Sequence, residues 1–179
     1  MKNIAVLGVT FGDEGKGRVV HDFSPNYDWV IRVSGGANCG HTIYRDGKKY
    51  VHNLLPSFDW RSQRPKAFLA SGMVIDLEQL HKELSALADI DPILPQRVYI
   101  DPDAFLVVDA HKEQDRATNA HIGTTNRGIG PAYKDKIARQ GLRIRDVMEQ
   151  SGNKYNSLVN KIKSIGANFV GFVELYSHF

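Results

Sequence analysis

Apolar positions along the 179-residue chain switch between a period near two and a period near 3.6. Ile4-Ala5-Val6-Leu7 is an unbroken apolar quartet and predicts a buried strand, followed by a glycine loop and a helix from near Gly15 to about Asp22. Trp29-Val30-Ile31-Arg32-Val33 predicts a second strand that ends in another glycine loop, "SGGANCGHT". Thr42 to Arg45 and Tyr50 to Leu54 flank Asp46-Gly47, a hairpin signal. Ala67 to Ala70 is a further strand, after which Asp76 caps a helix whose Leu77, Leu80, Leu84 and Leu87 form one core-facing stripe. Val98 to Ile100 and Phe105 to Val108 are strand candidates, and a polar helix from about Asp109 to Thr118 leads into a third glycine loop, "GTTNRGIGP". The remainder reads as helical and closes on the apolar "ANFVGFVELYSHF". Strands alternating with helices predict an α/β fold, a mostly parallel central sheet with flanking helices. Three glycine loops at strand or helix ends predict a ligand site along one edge of that sheet.

Composition narrows the class without naming it. The chain is 42% hydrophobic and 24% charged, as in an ordinary globular domain, and a single domain over 1–179 is expected. No apolar stretch approaches the roughly 20 residues of a membrane span, and Met1-Lys2-Asn3 shows no signal-peptide pattern. The lone Cys39 leaves no internal disulfide and fits a reducing cytoplasm. A net charge of +3, with bases and acids interspersed, points away from nucleic acid and from membranes while leaving anionic small molecules open.

The loop "GVTFGDEGKGR", residues 8 to 18, is built for anions. A strand ending in a glycine-rich turn that opens a helix presents backbone N–H groups and a positive helix end to phosphates, in the manner of a P-loop NTPase. Lys16 adds a point charge for the outer phosphates. The spacing departs from G-x-x-x-x-G-K-[ST]: six residues separate Gly8 from Gly15, and Gly17 stands where a magnesium-binding hydroxyl is expected. Another group must then hold the metal, and Asp13 is placed to do so. On the residues alone, a solvated turn and a nucleotide-binding loop without chemistry of its own both stay open. In the second loop, paired glycines admit close backbone approach, Asn38 can donate to and accept from a planar heterocycle, and His41 can act as an acid near neutral pH. His21, His52, His81, His111, His121 and His178 read as structural.

Taken together, "GDEGKG", "GGANCGHT" and "GTTNRGIGPAYKDK", collinear and at these separations, resemble the adenylosuccinate synthetase family from the first strand to about Val147, with 148–179 only weakly matched. That family joins IMP to L-aspartate using GTP, in purine biosynthesis. The resemblance implies that the 6-oxygen of IMP is first phosphorylated by GTP and then displaced as phosphate by aspartate. Asp13 would be both the base that takes the N1 proton and a Mg²⁺ ligand, and His41 its catalytic partner at the phosphoryl oxygens. Lys16, with the backbone of Gly12, Asp13, Glu14, Gly15 and Gly17, would cradle the β and γ phosphates. Gly40 would complete the metal shell through its carbonyl, with His41 and Thr42 beside the nucleotide. Asn38, Thr125 and Arg139 fall on IMP-binding positions, with Thr124 as neighbour. Arg139, on a basic helical segment, would reach the 5′-phosphate across a homodimer interface. Some viral relatives use (d)GMP and replace the catalytic aspartate; the retained Asp13 favours IMP.

Three departures accompany the likeness. Cys39 stands where alanine is usual. Asn126 stands where glycine is usual, and must take up the backbone angle that glycine had. The third is length: the family's later glutamine-glycine segment, its arginine-rich aspartate loop and its lysine-aspartate guanine element have no counterpart here. A fragment, a short version and one of two chains, the second supplying those motifs, are all compatible with this, as is a nucleotide-binding module inactive by itself.

Overall fold

The computed structural model describes residues 3–10, 12, 14–118, 123–149, 155–171 and 174. Its strands are β1 (Trp29–Arg32), β2 (His41–Arg45), β3 (Lys48–His52), β4 (Lys66–Leu69), β5 (Val74–Ile75), β6 (Val98–Ile100), β7 (Phe105–Leu106) and β8 (Asn168–Phe169). Its α-helices are α1 (Lys16–Phe23), α2 (Leu77–Leu87), α3 (Asp109–Thr118), α4 (Ile129–Ile137), α5 (Ile144–Glu149) and α6 (Asn156–Ile165). A parallel sheet in the order β1-β4-β6-β8 forms the centre, so the expected α/β fold with a parallel sheet and flanking helices is what the chain adopts. Ala67, Phe68 and Leu69 of the inner strand β4 are fully buried, as befits a parallel strand covered on both faces.

Local chemistry explains the elements that position the loops. Asp46 and Gly47 both take positive φ, 50° and 73°, the two-residue turn that matches the twist of β2 and β3. The Asp76 carboxylate accepts from the N–H groups of Glu78 and Gln79 at 3.0 and 3.3 Å and so starts α2. Leu77, Leu80, Leu84 and Leu87 of that helix enter the core with Leu54, Leu55 and Trp60. Between them Glu83 is buried and accepts from the N–H groups of Leu54 and Leu55, fixing the chain that leaves the hairpin. Arg97 is buried too; its guanidinium donates to the carbonyls of Trp60, Ser62 and Pro65 and pairs with Asp91. Among the described residues no helix is long and apolar enough to cross a membrane.

One expected element does not form. Ile4 to Leu7 carry no strand pairing and lie largely at the surface, Leu7 being 80% exposed and Val9 92%. An apolar quartet becomes a strand only where a neighbour pairs with it, and among the described residues none of the four strands of the central sheet does. The apolar C-terminal run behaves differently: Asn168 and Phe169 pair with Tyr99 and Ile100 of β6, extending the sheet. Residues 172–173 and 175–179 lie outside the described residues.

Candidate phosphate and nucleotide site

The three glycine loops meet. Gly15 takes a φ of 77° as N-cap of α1, and the next turn places Gly17 against the start of β2. A methyl group on Gly17 would come within 2.8 Å of the His41 Cβ and 3.1 Å of the Ser57 Oγ, so glycine there lets loop one touch loop two. Loop two joins loop three through Arg127, which donates to the Ala37 carbonyl at 2.7 Å. The Gly35 N–H donates to the Tyr133 hydroxyl at 2.7 Å, and that hydroxyl donates to the Gly72 carbonyl at 3.1 Å. Gly36 is packed closely enough that a methyl group there would meet Ile129 Cδ1 at 2.7 Å.

Arg32, at the end of β1, organises the second loop. Its guanidinium donates to the Asn53 carbonyl, to the Gly36 carbonyl at 3.2 Å and to the Cys39 sulfur at 2.9 Å. Asn53 in turn donates through Nδ2 to the Cys39 carbonyl at 2.6 Å. The Cys39 thiol is drawn down to about 7, first by its hydrogen bond with His41 and then by the Arg32 charge, against the opposing pull of its half-burial. Asn38, Gly40 and Thr42 are exposed along this loop, open to a ligand.

In the first loop Lys16 is already engaged. Its ammonium pairs with Glu14, and Glu14 also accepts from the Thr10 N–H at 3.1 Å and the Thr10 hydroxyl at 2.7 Å. These bonds, that from Lys16 foremost, hold the Glu14 carboxyl down at about 2. Gly8 lies beneath the Lys16 side chain. Gly12 has a φ of 116°, open only to glycine without strain. Asp13, the expected base and metal ligand, lies outside the described residues.

In the third loop Asn126 takes a φ of 55°, the left-handed conformation that its side chain tolerates best after glycine. Its Oδ1 accepts from the Thr124 hydroxyl at 3.2 Å, while Thr125 is exposed beside it. Arg139 is not on a helix as expected. It follows the end of α4 with a φ of 58°, where the Gln140 and Gly141 N–H groups return to the Asp135 carbonyl. It is exposed, roughly 15 Å along the helix axis from Gly128 at the start of α4. Helices commonly end on a left-handed residue, usually glycine; an arginine there costs of order 1–3 kcal/mol.

Sequence reasoning missed Arg32, Asn53, Arg127 and Tyr133, which wire the loops together. The signal for Arg32 was present, a charge inside an otherwise apolar strand segment. No group of three or more His, Cys, Asp or Glu side chains suited to a metal occurs among the described residues.

Comparison with known proteins agrees with this geometry. The adenylosuccinate synthetase family model matches residues 5–177. The adenylosuccinate synthetase of Petrotoga mobilis is 50% identical over 148 residues, covering 80% of this chain and 35% of that protein. The structure of fully ligated adenylosuccinate synthetase from Plasmodium falciparum superimposes with a TM-score of 0.74 at 31% identity, over 96% of this chain and 38% of that one. The cyanophage S-2L succinoaminodeoxyadenylate synthetase, bound to dGMP and dATP, superimposes with a TM-score of 0.65 at 23% identity, over 90% of this chain and 43% of that one, a likeness of fold. The chain thus spans little more than a third of the length of curated relatives that it matches. A family match over nearly all of its residues, a shared fold and three glycine loops in contact lead to one conclusion: the chain belongs to the adenylosuccinate synthetase family.

Proposed function

We propose that this chain forms the phosphate- and IMP-binding part of a ligase that joins IMP to L-aspartate with GTP, giving adenylosuccinate. The observation that carries the reading is the convergence of the three loops, with Gly17 against His41 and Arg127 on Ala37. It supports a reading in which a phosphate loop, an acid and a heterocycle-binding loop serve one substrate pair. The cyanophage likeness is one of fold and does not bring its acceptor here.

In the proposed reaction the 6-oxygen of IMP attacks the γ-phosphorus of GTP and GDP leaves. The N1 proton goes to the Asp13 carboxylate. The aspartate amine then attacks C6 of the 6-phosphoryl-IMP intermediate, and phosphate departs. His41 donates a hydrogen bond to the transferring phosphoryl oxygens and stabilises their charge. Lys16 turns from Glu14 to the β and γ phosphates, which the N–H groups from Gly12 to Gly17 also hold. Asn38, Thr124 and Thr125 seat the purine nucleotide, with Thr42 beside the triphosphate. Asp13 and the Gly40 carbonyl are hard oxygen donors that suit Mg²⁺, an ion that takes few protein ligands and leaves room for phosphate. When bound, Mg²⁺ neutralises charge on the phosphate oxygens. Arg139 serves the 5′-phosphate of IMP in the neighbouring subunit of a homodimer, a task consistent with its exposure. The reducing cytoplasm is the proposed setting, in keeping with the free Cys39.

The test is turnover with IMP, GTP, Mg²⁺ and aspartate in the presence of a polypeptide supplying the part of the family sequence that this chain does not match. Asp13→Ala should lower kcat by ~10²-fold or more while leaving the melting temperature in place. Activity within about tenfold of wild type removes Asp13 from its role. Faster turnover with dGMP than with IMP overturns the choice of acceptor.

A further inference from the structure

A polar relay runs from helix α2 to the second glycine loop, and its direction is fixed at both ends. At one end stands the buried Glu83 carboxylate, which accepts from the N–H groups of Leu54 and Leu55. Gln79, one turn earlier on α2, donates from Nε2 to Glu83 Oε1 and to Asn53 Oδ1, both at 3.1 Å. Asn53, 9% exposed, donates from Nδ2 to the Cys39 carbonyl at 2.6 Å, and its own carbonyl accepts from Arg32. The Glu83 oxygens accept and the Cys39 carbonyl can only accept, so the two amides between them have one arrangement in which every bond is made. Turning the Asn53 amide over would set Nδ2 against Gln79 Nε2 and Oδ1 against the Cys39 oxygen, leaving buried polar groups unpaired. The relay ends where loop two meets the phosphate loop. A methyl group on Gly40 would lie 3.6 Å from Asn53 Nδ2, so the Asn53 amide packs beneath that glycine, and His41 comes next, against Gly17.

We infer that Asn53 is a positioning residue for Gly40 and His41, and that Gln79 and Glu83 of α2 hold its side chain in the orientation the task requires. A hydrogen bond to the Cys39 carbonyl fixes the plane of the peptide that joins Cys39 to Gly40, because that unit is rigid. The plane in turn sets the direction from which the chain enters Gly40, a residue whose own backbone would otherwise turn freely, and so the directions of the Gly40 carbonyl and the His41 side chain. Asn53 is thereby placed behind the groups that meet the ligand, and α2 behind Asn53. Small displacements of reacting groups cost rate even when nothing that touches substrate has been altered. The task of His41 rests on the function proposed above, whereas the relay can be tested with no ligand present.

The experiment is NMR on the full chain, wild type against Gln79→Met and Asn53→Asp. Gln79→Met keeps the length of a half-buried side chain and removes both donors, while Asn53→Asp keeps the shape and sets an oxygen against the Cys39 carbonyl. In wild type the Asn53 side-chain NH₂ should exchange with water ~100-fold or more slowly than that of an exposed asparagine. In Gln79→Met that protection should fall at least ~10-fold, and the Gly40 amide and His41 ring resonances should shift while those of Val98 and Ile100 in the central sheet stay in place. Asn53→Asp should move the same Gly40 and His41 resonances; should it not fold, Gln79→Met decides alone. An Asn53 amide that exchanges as fast as an exposed one, or Gly40 and His41 resonances that coincide in Gln79→Met and wild type, overturns the inference. In the turnover assay given above, Gln79→Met should lower kcat ~10-fold or more and leave KM for IMP and GTP within about threefold of wild type, the pattern of a misaligned site. An unchanged kcat, or a loss confined to KM, also overturns it. A wild-type assembly without turnover counts against the proposed function instead, and the resonances then decide the relay.

Discussion

Acidification should loosen this fold through His52. Its side chain lies on β3 opposite His41, 2% exposed, with the Trp60 ring centroid 5.1 Å away. Neither imidazole nitrogen has a hydrogen-bond partner among the described residues. Burial, helped by the neighbouring imidazoles of His21 on α1 and His41 on β2, pushes the ring down from 6.5 to about 4. The native chain therefore binds this proton less readily than the unfolded chain, so the contribution is fully present above 6.5 and is lost as pH falls from 6.5 towards 4. At about 1.4 kcal/mol per pH unit, the loss across that window is about 3 kcal/mol. The assay is urea unfolding followed by tryptophan fluorescence, Trp60 being fully buried, at several pH values between 7 and 4 (a range set to bracket about one proton's uptake). His52→Phe keeps a flat ring against Trp60 and cannot take up the proton. Its stability curve should be flatter than that of wild type, gaining about 3 kcal/mol on it by the acid end of the range. Parallel curves, or an imidazole that titrates at its ordinary value in the native protein, would refute the reasoning.

Arg97→Met should destabilise by about 3–5 kcal/mol in urea unfolding, because it strands the buried Asp91 carboxylate without its partner; adding Asp91→Asn should recover part of the loss. Gly72→Ala should cost about 1–3 kcal/mol or more, since the new methyl group would overlap the Val33 carbonyl oxygen, a main-chain atom with no rotamer to yield. Arg139→Leu should weaken IMP binding in the active assembly by about 1.5–3 kcal/mol by calorimetry and leave the nucleoside triphosphate nearly unaffected. Mixed with Asp13→Ala chains it should restore turnover if each site borrows its arginine across a homodimer; no recovery after full subunit exchange removes the shared site.

Features written in short-range chemistry were legible before the structure. Asp46-Gly47 admits few turns but the one found, and the stripe from Leu77 to Leu87 needs only a helix and an apolar neighbour. The reading of His52 and His111 as structural also agrees with their burial, His111 facing Asp135 at 3.2 Å. Ile4 to Leu7 misled because a strand is a relation between segments, and an apolar quartet says nothing of whether its partner is at hand. Arg97 was illegible for the opposite reason: a charge reads as surface until three carbonyls and a carboxylate are seen to gather round it. At the candidate site the loops could be read from their glycines, whereas the contacts that tie the second loop to the third span 90 residues or more, as from Arg127 to Ala37 and from Tyr133 to Gly35.

If residues 8–18 hold phosphates as proposed, the pairing of Lys16 with Glu14 would turn that loop into an ion exchanger. An arriving polyanion does not meet a free ammonium; it must displace a carboxylate that two bonds from Thr10 already hold in place. Affinity at this position is then the difference between two pairings, and a ligand with a single diffuse charge gains little by the exchange. The same bonds, that from Lys16 foremost, favour the ionised form of the Glu14 carboxyl and so keep the lysine's counter-ion in place. On the proposed reading, the displaced carboxylate would become a new negative centre at the loop's mouth, free to attract a cation.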